Sequence, residues 1–118
     1  MVEVGRERFE ELVADALDGL PDRIGRLLDN VAVFVEDDGP PGLLGLYTGI
    51  PLTERASYGS LAPGGLAMPD RIAIYRRELC GICISEDEVV RQVRVTVIHE
   101  LGHHFGLTDA RLGELGWA

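Results

Sequence analysis

Residues 95–109 run VTVIHELGHHFGLTD. All three histidines of the chain lie in this stretch, at 99, 103 and 104, beside the carboxylates Glu100 and Asp109 and the glycines Gly102 and Gly106. Whether it is helix or strand decides which of these side chains meet. Val93-Arg94-Val95-Thr96-Val97 alternates as a strand does, and β-branched residues are modest helix formers. Two features point the other way. Ser85-Glu86-Asp87-Glu88 is a capping box with an acidic first turn. Val89, Val93, Val97, Leu101 and Phe105 then recur every four residues, a ridge suited to packing on a core. The two agree over the whole segment, so the spacing predicts one long helix that Gly106 ends.

On that helix His99 and His103 lie one above the other on the same face. Two imidazoles so placed can share one tetrahedral zinc ion at about 2.0–2.1 Å. Glu100 projects about 100° further round, beside a metal rather than on it, where a general base for a bound water belongs. The pattern His99-Glu100-x-x-His103 is the zinc-peptidase signature. Beyond Gly106 the chain can turn back and bring Asp109 in as a third ligand, which leaves one open position as catalytic zinc sites do. Asp109 as a simple helix cap is the competing reading. His104 projects away from His103 and is read as supporting rather than ligating.

Working outward, RERFEELVADALD at 6–18 has one apolar helical stripe of Phe9, Leu12, Val13, Ala16 and Leu17. Gly19, Leu20 and Pro21 break it, and a second helix is expected over 22–30. VAVFVED at 31–37 reads as a buried strand. LLGLYTG at 43–49 reads as a second strand, its glycines marking an edge or a close backbone approach. A loop rich in Gly, Pro, Ser and Ala spans 50–70, and RIAIYRREL at 71–79 alternates as a third strand. Cys80 and Cys83 form a C-x-x-C without a second ligand pair at zinc-finger spacing. They read as two half-buried apolar residues in a tight turn. A short helix is expected over 109–115.

The length of 118 residues suits one domain, residues 1–118, and 46% hydrophobic residues suffice for a core. No apolar run approaches the roughly 18–20 residues of a membrane span. The charged N-terminus lacks the apolar centre of a secretory signal, so a cytoplasmic setting is expected. Net charge is −9 and every basic residue is arginine. That balance disfavours nucleic acid and favours peptide, protein or small-molecule partners.

The run His99–Asp109 resembles the extended metzincin motif with Asp in the place of the third His. More of the chain is similar to the small bacterial minimal-zincin proteins, a metallopeptidase-like family: FEELVADALDGLP at 9–21, LLDNVAVFVED at 27–37, LLGLYTGIPLTER at 43–55, PDRIAIYRREL at 69–79 and HELGHHFGLTDARLGELGW at 99–117. The resemblance implies a small α+β zincin-like fold, with a short twisted sheet of three or four strands packed on the HExxH helix. It implies a Zn2+ metallopeptidase with His99, His103 and Asp109 as ligands and Glu100 as base. Substrate would lie extended along an edge strand, for which 43–48 is the candidate. Leu46, Tyr47, Arg55 and Tyr58, in or beside that edge and the long loop, are the candidate substrate contacts, and Tyr47, Arg55 and Tyr58 are also the candidate oxyanion donors. The chain departs from metzincins in one respect: its methionines, Met1 and Met68, both precede the helix, so no methionine turn follows the third ligand. Two other functions fit the same residues. One is a weak or inactive zincin-like module that binds metal or peptide. The other, disfavoured by the acidic charge and by Glu100, is a metal-dependent endoribonuclease.

Overall fold

The computed structural model describes residues 1–49 and 70–104. The elements run α1 (Arg6–Asp18), α2 (Asp22–Leu27), β1 (Val31–Glu36), β2 (Gly45–Thr48), β3 (Asp70–Tyr75), α3 (Arg76–Gly81) and α4 (Glu86–His104). The loop expected from residue 50, the helix end at Phe105 and Gly106, and the terminal helix over 109–115 lie outside the described residues. The fold is α+β, as expected. Among the described residues the sheet has three strands in the order β1-β3-β2, with β1 parallel and β2 antiparallel to β3. β2 is therefore an edge strand of that sheet.

The 93–97 segment is helical. The Ser85 hydroxyl accepts the Glu88 N–H at 3.1 Å, which satisfies one of the donors a helix start leaves open. Val89, Val93 and Val97 are wholly buried and Leu101 is 2% exposed. This ridge packs against α1 and the sheet, in one core with Phe9, Leu12, Val13 and Ala16 of α1 and Ile72 and Ile74 of β3. Burial of four apolar side chains on one face outweighs the few tenths of a kcal/mol per residue by which valine disfavours helix. Arg94 reaches across from α4 and donates to the carbonyls of Ala16 at 3.0 Å and Asp15 at 3.4 Å. A cation thus closes the C-terminal end of α1, where the helix dipole favours one.

The strand expected over 71–79 is shorter than its alternation suggests. β3 stops at Tyr75, opposite Glu36, the last residue of β1. The chain then turns into α3, where the Arg77 N–H donates to the Asp37 carbonyl at 3.1 Å. Arg76 donates to Asp37 Oδ1 at 2.9 Å and to the Val4 carbonyl at 2.8 Å. Leu79, Cys80 and Cys83 have helical spacing, and all three are buried. The two cysteines are free and more deeply buried than expected. Cys80 lies in α3, and the Cys83 N–H donates to its carbonyl at 3.2 Å. Burial pushes both thiols above their ordinary pKa, so they behave as small apolar residues.

The bond from Arg76, and then its charge, hold the Asp37 carboxyl below its ordinary value of 3.8. A lowered folded-state pKa means the pair's contribution is complete above the unfolded value and fades as pH falls through the folded one. Asp37→Asn is therefore expected to lower stability at pH 7, with the difference from the parent chain fading as pH falls below the ordinary carboxylate range. Denaturant titrations at a series of pH values check this, and a difference constant with pH would contradict it.

β2 lies against α4 at van der Waals range because residue 45 is glycine. A Cβ there would stand 2.7 Å from Thr96 Cγ2 and 2.9 Å from the Ala73 carbonyl oxygen. The second contact is backbone and cannot yield without parting β2 from β3. Gly45→Ala is expected to cost about 1–3 kcal/mol, read as a lower denaturant midpoint at unchanged slope.

Candidate active site on the last turns of α4

His99, Glu100, His103 and His104 sit on the final turns of α4, and their i, i+4 spacing divides them between two faces. His99 and His103 share one. Their rings meet edge to face, with centroids 4.2 Å apart and planes at 61°. His99 is half-buried and His103 exposed, so the pair opens to solvent. Glu100 and His104 share the adjacent face, and both meet β2.

Glu100 arrives on the side of β2 away from β3. The Tyr75 N–H donates to the Leu44 carbonyl at 2.9 Å, and the register pairs Gly45 with Ile74 and Tyr47 with Ile72. Hydrogen bonding alternates along an antiparallel pair, so the main-chain groups of Gly45 and Tyr47 point away from β3. The Tyr47 N–H is met there by Glu100 Oε2 at 3.4 Å, a long hydrogen bond. Gly45 and Tyr47 face α4, whereas Leu46 and Thr48 face away and are exposed.

The Tyr47 ring lies flat on His104, with centroids 4.1 Å apart and planes at 17°. Its hydroxyl donates to Asp70 Oδ2 at 2.6 Å. His104 Nε2 lies 3.6 Å from the same oxygen. Asp70, the first residue of β3, is 5% exposed.

The structure sets His99 beside His103, Glu100 against the Tyr47 N–H, and His104 against Tyr47 and Asp70. Leu46 is 41% exposed on the opposite face of the edge strand. Asp109, Arg55 and Tyr58 lie outside the described residues. Asp70 was missed by sequence reasoning: a single aspartate at a strand start carries no motif, and only the tertiary fold sets it under Tyr47.

A family model described as a zincin-like metallopeptidase matches residues 28–117, from the end of α2 through the penultimate residue. The chain belongs to the zincin-like metallopeptidase family. A solved structure shares the fold of this zincin-like chain: a conserved hypothetical protein from Thermo thermophilus superposes with a TM-score of 0.53 at 30% identity, over 86% of this chain and 94% of that one. No curated protein matches. Among the described residues of this zincin-like chain no helix is long and apolar enough to cross a membrane.

Two imidazoles one turn apart, meeting edge to face on a solvent-open face, are the donor chemistry zinc takes. Among the described residues no group of three or more His, Cys, Asp or Glu is arranged to hold a metal. His99 and His103 would fit as two of zinc's donors.

Proposed function

We propose that this chain is a zinc-dependent peptidase in which His99, His103 and Asp109 hold Zn2+ and Glu100 is the general base. Zinc, when bound, supplies Lewis acidity that activates water and polarises a peptide carbonyl. The chain's own residues do the rest. Glu100 accepts the proton of the attacking water and returns it to the leaving amine. The edge of β2 away from β3 would receive the substrate, a peptide or protein segment, as an added strand. Leu46 and Tyr47 flank that segment on the two sides of the edge, and Arg55 and Tyr58 are candidates to bind the developing oxyanion.

The observation that carries this reading is the hydrogen bond between the Tyr47 N–H and Glu100. It supports the reading by joining the carboxylate that follows His99 in the chain to the backbone edge on which a peptide would dock. Residues 1–118 would act as a single domain. Free, buried Cys80 and Cys83 accord with a reducing, cytoplasmic setting, and the net charge of −9 accords with a peptide rather than nucleic acid as partner.

The test is a zinc titration of metal-stripped protein against a competing chelator, followed by hydrolysis of a mixed peptide library by the zinc-loaded chain. One zinc per chain and zinc-dependent cleavage are expected. Zinc binding without cleavage would favour an inactive metal- or peptide-binding module. Absence of zinc binding would overturn the proposal.

A further inference from the structure

We infer that Asp70 is a positioning residue that sets the distance between the β2 edge and Glu100. The Asp70 side chain is 6% exposed, and a buried carboxylate is tolerated only where polar partners surround it. Two of its partners come from the two elements that form the site. The Tyr47 hydroxyl, 2.6 Å away, belongs to the edge strand. His104 Nε2, 3.6 Å away, belongs to the last turn of α4. The rings of Tyr47 and His104 are also stacked on each other, so strand, helix and carboxylate form a closed triangle.

His104 follows Glu100 by four residues, so the two share a helix face. Tyr47 touches both: its main-chain N–H meets Glu100 and its ring meets His104. Fixing the ring therefore fixes where the N–H stands against the carboxylate. The backbone beyond β2 is shaped to this cluster. A Cβ on Gly49 would stand 2.6 Å from Asp70 Cγ, 2.7 Å from Asp70 Oδ1 and 2.8 Å from Tyr47 Cε1. Glycine at 49 lets the chain pass close to the Asp70–Tyr47 bond without parting it. The geometric statement stands alone, whereas its consequence for turnover rests on the proposed peptidase reading.

The first measurement needs no turnover. Amide hydrogen exchange at Tyr47, read by NMR on the metal-free chain, is compared with exchange at Ile72 and Ile74 of β3. Tyr47→Phe keeps the ring and removes the hydroxyl, and Asp70→Asn removes the charge. Each should speed exchange at residue 47 by about fivefold, the loss of one hydrogen bond, and leave residues 72 and 74 unchanged. Gly49→Ala, which keeps every polar group, should act in the same direction. Unchanged exchange at residue 47, or equal acceleration at 47, 72 and 74, would reduce Asp70 to an ordinary structural residue and overturn the inference.

The second measurement uses the zinc-loaded chain and a cleaved peptide. Tyr47→Phe should lower kcat and leave KM nearly unchanged, because substrate still docks on β2 while the base is displaced relative to it. A raised KM with kcat unchanged would overturn the inference. If the parent chain cleaves no peptide, the peptidase reading fails, and the exchange data alone decide the role of Asp70.

Discussion

Glu100→Gln should reduce peptide hydrolysis by about 10²- to 10⁴-fold, the usual contribution of a positioned general base, and leave zinc bound. The variant is well matched to the question. The glutamine carbonyl oxygen can still accept the Tyr47 N–H that Oε2 accepts at 3.4 Å, so the edge strand keeps its place. Glutamine is also a good helix former, and residue 100 is half-buried rather than core, so α4 should persist. What is lost is the capacity to take and return a proton. Parallel assays of zinc content and initial rate separate the two effects. Turnover at the parent rate would remove Glu100 from the mechanism. Loss of zinc together with activity would instead make Glu100 part of the metal's own shell.

His103→Ala should have the larger effect on metal. Loss of an outer partner of a zinc ligand typically costs about 10- to 100-fold in affinity, and loss of a ligand should exceed this. His103 is exposed and alanine favours helix, so helical content and thermal stability should change little. His104→Ala is the control. His104 is stacked on Tyr47 and lies against Asp70, turned away from the His99–His103 pair, so its removal should cost far less zinc affinity. Competition with a chelating dye measures both variants. Equal losses for 103 and 104 would sink the assignment of ligands.

Local patterns were legible wherever one residue's neighbours along the chain settle its conformation. The Ser85 cap, the four-residue valine ridge and the apolar stripe of α1 each carry their own evidence, and all three stand in the structure. The glycines of 43–49 suggested an edge or a close backbone approach, and among the described residues both hold: β2 ends the sheet order, and Gly45 meets Thr96 and the Ala73 carbonyl. The end of β3 was not. Ile72, Ile74 and Arg76 alternate without a break, and the strand stops only because its partner β1 ends at Glu36 and Asp37 then captures Arg76 and Arg77. Alternation in one segment carries no information about where its neighbour ends.

The site divides in the same way. The sequence by itself determined that His99 and His103 share a helix face, that Glu100 stands beside them, and that His104 points elsewhere. Helical periodicity is a local property of the chain, and nothing distant is needed to read it. Only the tertiary structure decided what that face meets: the outer edge of β2, with the Tyr47 N–H on Glu100, and Asp70 buried beneath Tyr47 and His104. Those contacts join residues 23 to 53 positions apart. They exist because the shared core holds α4 and β3 in place and brings β2 against both, and no spacing within a single segment encodes that arrangement.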